Sequence, residues 1–231
     1  MRFNELTLPP WGSQKNPSRT RITEKVPQPA GPGLHVELDI KAIKVQGQRK
    51  NALTLNFVDL FHRQWFPYYL GWSIRKEHVM QMVESIFGRK NNLEDEPRLL
   101  LRADNGSQFI ADDLAELLFN LGIDIEYIHP ATPEENAHVE SFHSIMERAL
   151  VRQNEFESLD HLAGLMKRFH WFYNYERLHK TTCYRPPMVF LDLWKKGFVT
   201  EKFDKNNRRK FILSKEGSLN PPFSEQNVFS L

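Results

Sequence analysis

Apolar residues Leu34, Val36, Leu38, Ile40 and Ala42 alternate with His35, Glu37, Asp39 and Lys41. This is the period-two signature of a half-buried strand, with Asp39 on the side away from the main core. Runs at 53–60 and 65–74 follow at hairpin spacing and read as two further strands; Pro67 demotes the latter toward an edge. Val79, Met82, Val83, Ile86 and Phe87 give 77–88 a helical face. Leu99, Leu100 and Leu101 form a continuous apolar run, as in a central strand covered on both faces. Asn105 and Gly106 supply the turn that ends it. A helical pattern over 110–121 and an alternating strand over 123–128 complete a unit of five strands. Beyond it, Thr132, Pro133 and Glu135 read as N-cap, first helical residue and the returning acid of a capping box. Glu140 then lies about two turns in, sharing a face with Asn136, His143, Ser144 and Glu147, while Val139, Phe142 and Met146 turn toward the sheet. A long helix is expected over 158–179, with Leu162, Leu165, Met166, Phe169 and Phe172 inward.

The ends are different in kind. Pro9, Pro10, Pro17, Pro27, Pro29 and Pro32 lie in a stretch with little apolar periodicity, so 1–33 is expected to be a Pro-rich extended linker. Residues 34–194 form the core domain, and 195–231 a basic, partly irregular tail. A length of 231 residues suits one domain with extensions. The net charge of +2 is too mild to establish nucleic-acid binding. Its distribution says more: from Lys195 to Lys215 eight Lys or Arg face two acids, a segment suited to phosphate contacts or to a solvated tail. Cys183 is the single cysteine, which excludes a disulfide within the chain and a cysteine-rich zinc site. Neither a signal peptide nor a membrane span is readable, so an intracellular, reducing compartment is expected.

The candidate chemistry lies in three acids: Asp39 in His-Val-Glu-Leu-Asp-Ile, Asp104 in Arg-Ala-Asp-Asn-Gly, and Glu140 in Glu-Asn-Ala-His-Val-Glu-Ser-Phe. Rigidly held carboxylates bind hard divalent cations such as Mg²⁺ or Mn²⁺, and a pair of such ions serves in-line phosphoryl transfer. Clustered without metal, at least one of them has a raised pKa. A lone Asp at a strand end is ordinarily a turn or cap residue, and Asp59 and Glu37 rival Asp39, as Glu134 and Glu135 rival Glu140. Asp59 is expected in a turn or paired with Arg63. His143 is more often packed or solvent-facing than a ligand.

Asp39 and Asp104 are separated by 64 residues, Asp104 and Glu140 by 35. With Pro-Glu-Glu-Asn-Ala-His-Val-Glu-Ser-Phe-His at 133–143, Tyr-Asn-Tyr-Glu-Arg-Leu-His at 173–179 and Arg-Pro-Pro at 185–187, residues 34–194 resemble the Asp-Asp-Glu catalytic core of bacterial insertion-sequence transposases and retroviral integrases. The resemblance implies an α/β, ribonuclease H-like fold: a mixed five-stranded sheet flanked by helices, with irregular N- and C-terminal extensions. It implies a DNA transposase or integrase catalytic subunit using two Mg²⁺ or Mn²⁺ ions. Asp39 would bridge both, with Asp104 on one and Glu140 on the other. DNA contacts are expected from Asn136, His143, Arg148, Arg177, His179 and Lys180, although Arg177, His179 and Lys180 equally suit a structural role. The implied partners are element ends and target DNA, further copies of the chain, and a separate or missing N-terminal end-recognition module, with no membrane. The implied location is the bacterial cytoplasm, at the nucleoid. A nuclease that only hydrolyses, or a non-catalytic DNA-binding or assembly protein of transposase descent, stands as the alternative. One departure is visible: where relatives commonly carry Lys or Arg seven residues after the Glu, this chain has Glu147, with Arg148 next.

Overall fold

The computed structural model describes residues 28–88, 98–129, 132–206 and 208–219. Most of the expected Pro-rich linker lies outside these residues. Strands β1 (His35–Ile43), β2 (Ala52–Asp59) and β3 (Tyr69–Gly71) precede helix α1 (Lys76–Phe87). Then come β4 (Leu100–Ala103), α2 (Asp112–Asn120) and β5 (Asp124–Tyr127), followed by α3 (Ala137–Ala149), α4 (Leu159–Trp171) and α5 (Pro187–Lys195). A hairpin of β6 (Val199–Phe203) and β7 (Arg209–Leu213) and the short α6 (Lys215–Leu219) follow.

The mixed five-stranded sheet expected from the sequence is present, in the order β3-β2-β1-β4-β5. β1, β2 and β3 pair antiparallel, while β4 runs parallel to both β1 and β5. Of the run at 65–74 only Tyr69–Gly71 joins the ladder, as an edge strand, and Trp65 adds an isolated bridge to Val58. Pro67 between them has no N–H to donate.

Both faces of the sheet are covered, so the expectation that Asp39 points away from the core needs correction. Val36 and Leu38 of β1 and Leu55 and Phe57 of β2 pack against Val79 and Val83 of α1 and Leu114 and Leu118 of α2. Ile43, Ala52 and Val58 meet Val139, Phe142 and Met146 of α3, with Leu162, Met166 and Phe169 of α4 behind them. The polar residues of β1 on this second face are held by polar partners on α3.

Two helix expectations also change. The capping box does not form. The Thr132 hydroxyl donates to His129 O (2.5 Å) and Glu135 Oε2 (3.0 Å), and the Glu135 carboxylate accepts from His129 N (2.8 Å). Pro133–Asn136 is a 3-10 turn and α3 starts at Ala137, so Glu140 stands in the first turn rather than two turns in. The long helix over 158–179 ends at Trp171 and passes into a π-helical turn, Phe172–Glu176. That turn lets Asn174 reach Trp65, accepting from its N–H (2.9 Å) and donating to its carbonyl (2.8 Å). Trp65 is fully buried among Tyr68, Phe142, Phe169, His170 and Tyr173. The Tyr-Asn-Tyr motif therefore closes the fold. Within the basic stretch after 195, the hairpin packs Phe211 against Phe61 and Phe190, with ring centroids 4.9 Å apart in each pair.

Candidate active site

β1 and α3 run side by side and meet at three polar contacts. Glu37, fully buried, accepts from Val139 N (2.7 Å) and His138 Nδ1 (2.9 Å). Asp39 Oδ2 lies 3.5 Å from His143 Nδ1, and Lys41 Nζ lies 2.9 Å from Glu147 Oε2. Steps of two along the strand match steps of four along the helix, because two strand residues advance about 6.6 Å and four helical residues about 6.0 Å. At the first contact, the Glu37 carboxylate satisfies an amide at the positive end of the helix. Glu37 thus anchors α3 and brings Glu140 into the neighbourhood of Asp39.

Asp39 stands opposite Asn56 across the β1–β2 ladder. The Asn56 side chain donates to Thr54 O (3.2 Å) and faces His143 Nε2 at 3.0 Å. His143 Nε2 is then the acceptor and Nδ1 carries the proton that points at Asp39. Burial, helped by Lys41, holds His143 down at about 4, so the ring is neutral at pH 7. Asp104 follows β4. The parallel register pairs Glu37 with Arg102, and continuing it by two residues sets Asp104 beside Asp39. The Asp104 carboxylate accepts from Gly106 N (2.8 Å). A Cβ at position 106 would stand 2.9 Å from that carboxylate, so glycine permits the close turn.

Burial pushes the Asp39 carboxyl up to about 7; the Ile40 N–H opposes this, while the charges of Asp104, Glu140 and Glu37 add to it. Asp104 and Glu140 therefore both lie within electrostatic reach of Asp39. Among the described residues, no group of three or more His, Cys, Asp or Glu side chains is gathered tightly enough to hold a metal ion. The donors nonetheless fit a hard divalent cation in kind: all are oxygens, and Asp39 is a partly buried carboxylate with two acidic neighbours.

The rivals have other work. Asp59 is fully buried and accepts from Gly33 N, Phe61 N and His62 N. Its ionic partner is His62 at 2.6 Å rather than Arg63. Neither Glu37 nor Asn56 is legible in the sequence as a site-building residue, because their partners on α3 lie 102 and 87 positions away.

Of the expected DNA contacts, Asn136 is buried, its amide directed toward Leu38 O at 3.4 Å, and His179 is buried as well. Arg177 lies over the Tyr173 ring at 5.9 Å, and Lys180 and Arg148 are exposed. Arg148 shares a cavity of about 370 Å³ with Lys41, His143, Glu147 and Arg152. Glu147 is flanked by Lys41 and by Arg152 at 3.6 Å. The acid that departs from the family pattern is thus offset, and the cavity keeps a basic balance. Lys41→Met should cost less than about 1 kcal/mol of stability. If the cavity takes DNA, as the resemblance implies, uncovering Glu147 should weaken that binding several-fold at low salt, with Glu147→Gln in the same chain restoring it. Titrating a labelled duplex against the single and double variants checks this.

Two models described as the integrase core domain match the chain, over residues 29–133 and 121–187. The chain is 26% identical over 135 residues to the transposase for insertion sequence element IS904 of Lactococcus lactis subsp. lactis (strain IL1403), covering 58% of this chain and 52% of that protein. It is 25% identical over 104 residues to a putative integrase, ORF3, of Spiroplasma virus SpV1-C74, covering 40% of this chain and 29% of that one. The chain thus spans about half the length of the first relative and less of the second. Similar solved folds include a simian T-cell lymphotropic virus intasome in complex with PP2A regulatory subunit B56 gamma. That match has a TM-score of 0.57 at 15% identity and covers 76% of this chain and 60% of that one. The catalytic core domain of BIV integrase gives 0.52 at 16% identity, covering 72% of this chain and 99% of that one. At these identities the likeness is one of fold. No helix among the described residues is long and apolar enough to cross a membrane.

Proposed function

We propose that the chain, which matches integrase core domain models over residues 29–133 and 121–187, is the catalytic subunit of a Mg²⁺- or Mn²⁺-dependent DNA transposase or integrase. It would hydrolyse a phosphodiester at an element end and join the resulting 3′-hydroxyl to target DNA. The observation that carries this reading is the electrostatic coupling of Asp39 to Asp104 and Glu140. It links two strands and a helix at the positions the family motif names.

Asp39, Asp104 and Glu140 would hold the divalent metal. When bound, divalent ions supply Lewis acidity to the attacking and leaving oxygens of an in-line displacement. His143 stands beside the Asp39 carboxylate, its Nδ1 3.5 Å from Oδ2. Arg148, Arg152, Arg177 and Lys180 lie where phosphates can be attracted, and Asn136 and His179 act from within the fold by fixing the ends of the elements that carry them. Two element ends must be joined, so the chain would work as a homo-oligomer in the cytoplasm, with end recognition supplied by a separate module.

The test pairs DNA flanking the gene as donor ends with a supercoiled target plasmid, in millimolar Mg²⁺ or Mn²⁺. The wild type should give strand-transfer products. Asp104→Asn and Glu140→Gln should lower them by roughly 10³-fold or more without changing the circular dichroism spectrum. Cleavage without joined products identifies a nuclease that only hydrolyses. Intact DNA binding with neither product identifies a non-catalytic assembly protein.

A further inference from the structure

A second cavity, of about 670 Å³, opens beside the start of α3, between the β2–β3 turn, the turn at 180–184 and the β6–β7 hairpin. Its wall carries Arg63, Lys180, Arg208, Arg209 and Lys210, and among the described residues no carboxylate lines it. Arg63 is the informative member. Its backbone is left-handed, with φ of 69°, and its Nη1 is buried without a hydrogen-bond partner among the described residues. The nearest acids are already engaged: Glu37 by Val139 and His138, and Asp59 by Gly33, Phe61 and His62. A guanidinium withdrawn from water with an unpaired nitrogen is costly, and an anion in the cavity it lines would offset its charge.

Tyr184 forms another part of the wall. It is 59% exposed, and both it and Cys183 have φ of 55°. Two successive non-glycine residues in this region persist only where the surroundings impose them, as ligand clamps do. Here the Tyr184 N–H is held by His179 O (2.9 Å) and the Thr182 hydroxyl donates to Arg185 O (2.6 Å). These bonds hold the turn in a shape that leaves the ring outside the core, at the edge of a basic cavity. Cations that track a backbone beside an exposed aromatic face are the means by which proteins hold unpaired nucleic acid.

We propose that this cavity binds an unpaired nucleotide of the DNA, its phosphate taken by Arg63 with the cations beside it and its base stacked on Tyr184. The volume suits a ligand of that size. His138 lines the cavity and its Nδ1 lies 2.9 Å from Glu37 Oε1, so the strand held there would run beside the β1–α3 seam that carries Asp39. The inference rests on the reading of the chain as a DNA strand-transfer protein, and names the part of the substrate that reading leaves open.

The test uses the full chain in EDTA, with a short fluorescein-labelled single strand and the matching blunt duplex, read by anisotropy. The wild type should prefer the single strand. Tyr184→Asn, which removes the ring and suits the left-handed backbone, should weaken single-strand binding roughly 5- to 100-fold; Tyr184→Phe should retain it. Arg208→Ala with Lys210→Ala should lower the slope of log affinity against log salt by about 0.7 for each phosphate no longer neutralised. A wild type that transfers strands, with Tyr184→Asn and the double alanine variant binding the single strand unchanged, overturns the proposal while the enzymatic reading stands. Weakening confined to the charge variants, with inorganic phosphate competing as well as thymidine monophosphate, overturns it in favour of a plain anion site. A wild type without metal-dependent activity that still binds the single strand through Tyr184 overturns the enzymatic reading and leaves the cavity in place.

Discussion

Asp39→Asn should make the metal-free protein more stable at pH 8 and, on the proposed function, abolish strand transfer. The folded carboxyl titrates at about 7 against an ordinary value of 3.8. Between those values the folded state binds the extra proton, so stability present at pH 4 is lost as the pH rises through 7. Asn carries no charge and keeps an acceptor for Ile40 N. The gain expected at pH 8 is on the order of 2–4 kcal/mol, or roughly 5–10 °C in Tm for a chain of this size. It should vanish near pH 4, where Asp39 is protonated in the wild type. Millimolar Mn²⁺ should raise the Tm of the wild type and not that of the variant, because only a site with its carboxylates gains from linkage. Scanning calorimetry at the two pH values, with and without metal, decides the matter. A variant less stable than the wild type at pH 8 would mark Asp39 as a structural residue and remove the support for its catalytic role.

Asn174→Ala should destabilise the protein by about 2–3 kcal/mol, lowering Tm by roughly 4–10 °C. The side chain occupies both backbone polar groups of Trp65. After its removal the carbonyl keeps His170 Nε2 at 2.9 Å, but the buried amide has no partner left. Arg177→Ala, three residues on and half-exposed, should leave Tm within about 1 °C and act on DNA affinity instead. Thermal melts of the two variants side by side separate the motif's architectural half from its surface half. Equal melting temperatures for both would refute the division.

The strand that bears Asp39 is legible because an alternating pattern is a local signal, and Asp104 because the turn after it is written in Asn105 and Gly106. The start of α3 misleads for a reason equally local: Thr132, Pro133 and Glu135 have the composition of a capping box, but Glu135 is drawn to His129 N and the Thr132 hydroxyl instead. Propensity loses there to a tertiary contact, since the fold starts the helix where Glu37 can meet Val139. Such pairings between distant residues leave no periodic trace, and Glu37 is visible in the sequence only as an acid sharing the face of Asp39. The same is true of Asn174, whose neighbours suggest a helix while its partner is the backbone of Trp65. The β6–β7 hairpin is hidden by charge: its basic residues look like a solvated tail, and the apolar minority, Val199, Phe211 and Leu213, gathers around Phe61 and Phe190 of remote elements.

The matched stride of β1 and α3 limits how this chain can change length. Inserting one residue between Glu37 and Asp39 would turn Asp39 onto the opposite face of the sheet, among the side chains that meet α1 and α2. Inserting one in α3 between Val139 and His143 would swing the residues beyond it by about 100°, parting His143 from Asp39 and Glu147 from Lys41 together. Neither loss can be repaired by substitution at a single position. Natural length variation should therefore collect in turns such as 44–51 and be absent from 37–41 and 137–147, whatever happens to the identities of the residues within them.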